Sequence, residues 1–566
     1  DFTLFASGKN IGTTQLILQE TLNQLSTFSL NTGFKFSESK STAIIFNRSS
    51  TVQDKPRLFL GNRILSVVNQ VKILGLMFDS KLTWIPHIKQ IKETCANIMK
   101  AIASKTWGAD FKILISTYKA LIRSKLDYGS VVYSPAKLTT LKKLETIKNS
   151  AARIATGAFC TSPVVGLLSE ANLPPLDYRR MQLTLSYTLT TASSPCNPTK
   201  EIIFSKKFTH LFNNRIKSPK PINIRIANIF EQLHIPLPNI FQIKVINTPP
   251  WTLKIPTLID LNIPSKEFEN HDLLKASFLE SSSQFSDYSP IYCDGSKAQL
   301  GTGCGLVTPE GNIGFKLPDY FLVLSCEAYA ILEGLKYIGK ANNNDKFIIY
   351  SDSMSALTAL HVTEPKNPII RQIIEKYNEI LSNKQATEIL FGWVPSHIGI
   401  AGNERADKVS KGAANSPRHP LNTPIYHKEV FKSFFKILKE HWNLSWKSGH
   451  KSHIHRTRNN IYEMSPALSF DRRHQVVLTR IRIGHTSLTH AHLLEKKNPP
   501  MCNTCQTVNS IEHITTSCPK CQWERTFYQI DGNSREVART ADSCLRVLQF
   551  LKHINIVHLI ELNLCV

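Results

Sequence analysis

Four carboxylates and a histidine sit in five short stretches that share one region of the chain. Asp294 lies in "PIYCDGSKAQLGTGCGLV", Glu327 in "SCEAYAILEGL", Asp352 in "KFIIYSD", His397 in "PSHIGIAG" and Asp407 in "NERADKVSKGA". Singly, each has an ordinary reading. Asp294 can open a turn with Gly295, Glu327 can complement a helix dipole behind Ser325 as N-cap, and Asp352 can cap the next helix. Asp407 suits an early helical turn, and His397 a loop. As a set they say more. Four acids converging on one sheet edge would repel one another, raise their own pKa values and destabilise the fold unless counterions join them. Hard divalent ions such as Mg²⁺ take oxygen ligands and keep waters for a phosphate substrate. Two such ions can activate water and stabilise the leaving oxygen of a phosphodiester.

A second set lies near the other end, in "MCNTCQTVNSIEHITTSCPKC". Cys502, Cys505, His513 and Cys518 have the spacing Cys-x₂-Cys-x₇-His-x₄-Cys, which suits a tetrahedral Zn²⁺ site, with Cys521 as a spare ligand. The alternative is a cysteine-rich turn without metal. Upstream, Arg480, Arg482 and His485 in "LTRIRIGHTSLTHAHLL" either contact phosphate or decorate a helix.

The elements that must position the acids follow from periodicity. Strands are expected at "PIYCDG", "GCGLVTP", "NIGFKL", "KFIIYSD" and "EILFGWVP", and helices at "SCEAYAILEGLKYIG", "SMSALTAL", "NPIIRQIIEKYNEILSN" and "NERADKVSKGA". Three strands joined by short turns, then strands alternating with helices, make a mixed five-stranded sheet covered by helices. Asp294 and Asp352 fall at strand ends, where α/β sites form. Glu327 heads the apolar stripe Ile331, Leu335 and Ile338, which points it toward the sheet. The glycines after Asp294 serve a strand turn and let backbone approach closely, and no Walker-type lysine follows them.

The 566 residues are 42% hydrophobic and carry 68 Lys and Arg against 43 Asp and Glu, a net charge of +25. Residues 281–415 hold 14 acids and 12 bases, so the basic excess lies in the flanks and suits a polyanion such as nucleic acid. No apolar run has the length of a membrane span and no signal peptide is visible. Twelve cysteines, mostly scattered, suggest a reducing compartment. The first residue is Asp1, as expected of a fragment or a processed product.

"YCDGS…GTGCGLV", "SCEAYAILEGL", "IIYSDSMSAL" and "WVPSHIGIAGNERADKVSKGA" resemble, in order and spacing, the motifs of the ribonuclease H family over about residues 288–415. The resemblance implies that Asp294, Glu327, Asp352 and Asp407 hold two Mg²⁺ ions, with Mn²⁺ an acceptable substitute. Asp294 would bridge them, Asp407 would hold the ion that activates water, and Glu327 and Asp352 the other. His397 would be the mobile-loop histidine that handles protons and product release. The implied reaction cuts the RNA strand of an RNA–DNA hybrid, leaving a 5′-phosphate and a 3′-hydroxyl, with no small-molecule cofactor and no membrane. "SMSALTALHVTEPKNPIIRQ" leaves no room for the basic protrusion with which cellular members grip the hybrid. A DNA-transposing nuclease on the same fold is disfavoured by "WVPSH" with "GNERAD".

"DFTLFASG", "LNTGFKFSESKSTAIIF" and "VKILGLMFDSKLTW" resemble reverse transcriptases of non-LTR retrotransposons of the jockey and I-element group. Asp1 would then be the second aspartate of the polymerase pair. The organisation this implies is a truncated palm over 1–60, a helical thumb over 61–190, a proline-rich linker over 191–285 and a ribonuclease H domain over 286–415. A basic helical linker follows over 416–474, a basic segment with a zinc knuckle over 475–530 and a helical tail over 531–566. Polymerase activity is not expected from so truncated a palm. The expected function is hybrid cleavage within a retrotransposon polyprotein, intracellular in nucleus or cytoplasm. The alternative is an inactive nucleic-acid-binding remnant.

Overall fold

The computed structural model describes residues 2–47, 55–102, 109–206, 209–213, 218–243, 249, 252–259, 271–341, 346–362, 364–384, 386–449, 452–530 and 537–561. Asp1 lies outside them. The chain forms two compact units, one of residues 184–211 and 222–439, the other of residues 1–183, 212–221 and 440–566.

The first of these holds a six-stranded mixed sheet. Its strands are β1 (Thr257–Ile259), β2 (Ser289–Ala298), β3 (Gly301–Thr308), β4 (Gly311–Leu317), β5 (Lys346–Ser351) and β6 (Glu388–Trp393), in spatial order β4-β3-β2-β5-β6-β1. β4, β3 and β2 pair antiparallel, and β2, β5, β6 and β1 pair parallel. The sequence pattern gives five of these strands. The sixth, β1, comes from the proline-rich stretch read as linker, and it covers an edge of β6 that would otherwise expose unpaired backbone.

Helices α1 (His271–Ser283), α2 (Val323–Lys340), α3 (Met354–Ala359), α4 (Pro368–Asn383) and α5 (Ala401–Asn415) dress the sheet. β2 alternates as a two-sided strand must. Ile291, Cys293 and Gly295 meet α2, while Tyr292 and Asp294 meet α5. The stripe Ile331, Leu335 and Ile338 is fully buried, as its spacing requires. Asn367 caps α4 by accepting from the Ile369 amide over 2.9 Å, and Pro368 supplies a preset first helical turn. On the opposite side of the sheet from α2, Leu274 and Phe278 of α1 pack with Ile348, Tyr350, Leu390 and Val394. Residues 360–367 separate α3 from α4 in the chain.

The second unit is mainly helical. Its N-terminal part begins with the helix Ile11–Thr32 and short strand pairs, and residues 2–10 form no strand. The helices between residues 85 and 170 enclose a core that includes Ile88, Tyr118, Leu144 and Leu167, and Ile483 from the C-terminal part joins it. A second core there packs Val477 and Ile481 against Ile511, Ile514, Val547 and Phe550.

Arg480, Arg482 and His485 neither face phosphate nor decorate a surface. The Arg480 guanidinium donates to the Gly157 carbonyl over 2.8 Å, and Arg482 donates to the Glu170 carboxylate over 2.8 and 3.3 Å. Both arginines are 2% exposed, so they serve as internal donors. The His485 ring stacks on His490 with centroids 3.6 Å apart, its Nδ1 lies 3.2 Å from Thr161 Oγ1, and burial pushes its pKa down to about 4.

Candidate active site

Strand pairing makes the site. β5 runs parallel to β2 only as far as Ser351 opposite Cys293, whereas β3 continues beside β2, with Asp294 opposite Gly305 and Gly295 opposite Cys304. Asp294 is therefore mid-strand on one side and at the end of pairing on the other. Asp352 follows Ser351 directly into that gap. The Gly295 amide, no longer paired to β5, donates to Glu327 Oε2 over 3.0 Å. Carboxylate oxygens of Asp294, Glu327 and Asp352 lie within 4.8 Å of one another.

Glycines permit this closeness. A Cβ on Gly295 would sit 2.2 Å from the Glu327 nitrogen, and one on Gly305 would sit 2.6 Å from the Ser410 nitrogen. These glycines bring α2 and α5 against the sheet, and the backbone they expose meets helix, not a nucleic acid. Gly402 does the same where α5 begins, over the ring of Tyr292.

The neighbours assigned in sequence as bland partners are placed differently. α2 starts after Leu322, and Ser325 is buried within it, hydrogen-bonded to the Glu429 carboxylate and accepting from Asn367 Nδ2 over 3.0 Å. Ser353, not Asp352, caps α3. Ser410 of α5 donates its hydroxyl to Asp294 Oδ2, a partner that the sequence reading missed.

Burial pushes the Asp294 carboxyl up to about 6, with Asp352 and Asp407 adding to the rise. Burial also pushes Glu327 up to about 9, reinforced by Asp294 and Asp352. A group of hard oxygen donors that burial and mutual repulsion both push toward protonation is the donor set that divalent magnesium fits.

Asp407 stands one step away. Its carboxylate pairs with Lys411 Nζ at 2.7 Å and groups within 4.8 Å with His397 and Glu404, while its charge still reaches Asp294 and Glu327. His397 is exposed in the loop before α5, with φ at +60°, a left-handed conformation uncommon for a side-chain-bearing residue. Glu404 has a legible signal in hindsight, three positions before Asp407 on one helix face.

In the other unit, ligand atoms of Cys502, Cys505, His513 and Cys518 also lie within 4.8 Å of one another. Cys518 Sγ is 3.8 Å from Cys502 Sγ and 3.9 Å from Cys505 Sγ. His513 Nδ1 faces Ser517 Oγ at 3.3 Å, and its Nε2 is buried without a hydrogen bond of ordinary geometry among the described residues. The His513 ring, above all, holds the Cys502 thiol down at about 6. Three thiols and an imidazole with a spare nitrogen are a donor set that Zn²⁺ fits.

The RNase H family profile matches residues 287–415. Human ribonuclease H1 is 25% identical over 149 residues, which cover 23% of this chain and 52% of that protein. The chain thus matches about half the length of that relative. Among the described residues no helix is long and apolar enough to cross a membrane. Matched motif, sheet order and clustered acids agree, and residues 287–415 of this chain are an RNase H domain.

Proposed function

We propose that the chain cleaves the RNA strand of RNA–DNA hybrids by hydrolysis at the cluster of Asp294, Glu327 and Asp352, with Asp407 as the fourth carboxylate. The observation that carries this reading is the convergence of three carboxylates, two of them pushed toward protonation, inside an RNase H domain. Those four residues would hold Mg²⁺. When bound, such ions supply Lewis acidity toward a phosphodiester and its attacking water. The chain's own groups fix the site. The Gly295 amide and the Ser410 hydroxyl orient Glu327 and Asp294, and His397, exposed beside Glu404 and Asp407, would exchange protons with solvent during turnover.

In the same reading the domain belongs to a non-LTR retrotransposon polyprotein, with residues 1–190 as the end of a polymerase palm and its thumb. The Cys/His cluster holds one Zn²⁺. Grip on the hybrid comes from the basic flanks, since the domain is slightly acidic.

The test compares a labelled RNA–DNA hybrid, an RNA duplex and single-stranded RNA, each with and without Mg²⁺. Cutting confined to the hybrid and dependent on the ion is expected. Tight hybrid binding without cutting, under conditions where a known ribonuclease H works, would leave only a binding remnant.

A further inference from the structure

Directly after the Cys/His cluster, the helix Gln522–Phe527 presents two aromatic rings to solvent. Trp523 is 63% exposed and Phe527 62%. The rings stack on each other with centroids 5.3 Å apart and planes 16° off parallel. Exposed singly, large apolar side chains need no explanation; two stacked into one flat surface on a rigid support do.

The support is specific. His553 sets its edge against Trp523 at 5.7 Å, and Tyr528 bonds His553 Nδ1 at 3.1 Å. Arg525, on the inner face of the same helix, is buried and donates to the Ile514 carbonyl over 3.2 Å, which ties the helix to the Cys/His segment. The helix's acid, Glu524, turns its Oε2 into the interior. Lys520, two residues before the helix, and Lys552, next to His553 in the chain, are exposed and stand outside the ion pairs of the described residues. A flat aromatic face with its acid turned inward, flanked in the chain by exposed lysines, matches a strand with stacking faces and a negative backbone.

We propose that Trp523 and Phe527 form a stacking platform for the bases of single-stranded nucleic acid, with Lys520 and Lys552 as its phosphate contacts. Duplex bases are already stacked, so the platform selects unpaired segments such as the tail beside a hybrid. The proposal rests on the nucleic-acid function above, but it is independent of cleavage.

The experiment uses the full chain and a fluorescein-labelled oligothymidylate, with an abasic strand of equal length as control and no added divalent ion. Replacing both rings, Trp523→Ala with Phe527→Ala, should weaken binding of the oligothymidylate by roughly tenfold or more and leave abasic binding unchanged. The slope of affinity against salt should stay the same, because no phosphate contact is lost, whereas Lys520→Ala with Lys552→Ala should make it shallower. Oligothymidylate should quench tryptophan emission in the wild type, and Trp523→Phe, which keeps a ring in place, should remove that quenching while retaining most of the affinity. Equal binding by wild type and the double alanine variant overturns the platform. So does an equal loss on the abasic strand, or self-association that depends on Trp523. Hybrid cleavage by the same preparations is a separate readout. Its absence from the wild type would sink the nuclease and leave the platform standing.

Discussion

The Gly295 amide donates to Glu327 Oε2 over 3.0 Å at a point where the glycine has no space for a side chain. One backbone position thus sets both the spacing of α2 from β2 and the direction of a site carboxylate. Gly295→Ala would place a methyl 2.2 Å from the Glu327 nitrogen, against backbone that cannot swing aside. We expect a loss of about 1–3 kcal/mol of stability, typical of overpacking, together with loss of hybrid cleavage. Gly412→Ala in α5, where an added Cβ meets nothing within 4 Å, should instead be neutral or gain about 0.5–1 kcal/mol. Denaturant unfolding of both variants beside wild type checks the contrast.

Glu327 gives the metal-free protein a pH signature. Its carboxyl sits at about 9 in the fold against an ordinary 4.5, first through burial and then through Asp294 and Asp352. A raised acid pKa means that the folded chain holds a proton the unfolded chain has released. The contribution of Glu327 to stability is therefore fullest below about pH 4.5 and falls as pH rises toward 9. Glu327→Gln stays neutral across that window, so without added Mg²⁺ it should gain on wild type between about pH 5 and about pH 8. Unfolding followed at both values tests this, and a variant that tracks wild type at each would refute the assignment.

The buried ion network of the helical unit makes a different demand. Burial alone would raise the Glu170 carboxyl, but Arg482 and Arg458 outweigh it and hold it below its usual range. Arg482 Nε donates to it over 2.8 Å, and Ser465 donates as well. Glu170→Ala strands two guanidinium groups that are each 1–2% exposed. A cost of about 3–5 kcal/mol is expected, as for breaking one partner of a buried pair. The network's contribution is present above the ordinary glutamate pKa and lost as pH falls through the depressed one. Unfolding by urea measures both effects.

The Cys/His cluster should carry one zinc per chain. Cys518→Ser removes the central thiol, buried between Cys502 and Cys505, and metal content measured on the full chain should fall to near zero. Ile511 and Ile514, on either side of His513 in the chain, pack in a core with Val547 and Phe550, so metal loss should also lower the unfolding midpoint of that unit. A full-length protein that is metal-free and equally stable would argue for a plain cysteine-rich turn.

The site was largely legible because each motif joins a chemical residue to a local period. Asp294 and Asp352 close or interrupt apolar strands, and Glu327 heads a stripe that is fully buried. β1 was hidden because three residues among prolines carry no period, and their strand state depends on β6 supplying the partner. Arg480 and Arg482 misled for a related reason. Local sequence reads a basic helix as surface, and Glu170, the acceptor that buries Arg482, lies 312 positions away. Ser410 showed no signal beyond its place one turn after Asp407.

His397 and Asp294 should separate in kinetics. His397→Ala removes a proton-handling group from an exposed loop and should slow turnover by about 10²-fold. Asp294→Asn removes charge at the centre of the cluster and should cost about 10³-fold or more. Single-turnover rates on one hybrid, at saturating Mg²⁺, give the comparison.

The central claim is tested most directly by the RNA strand of an end-labelled RNA–DNA hybrid incubated with the full-length chain and Mg²⁺, wild type against Asp294→Asn. The account predicts RNA fragments with 5′-phosphate ends from the wild type, none from the variant, and an intact DNA strand with both. Fragments produced equally by Asp294→Asn would contradict it.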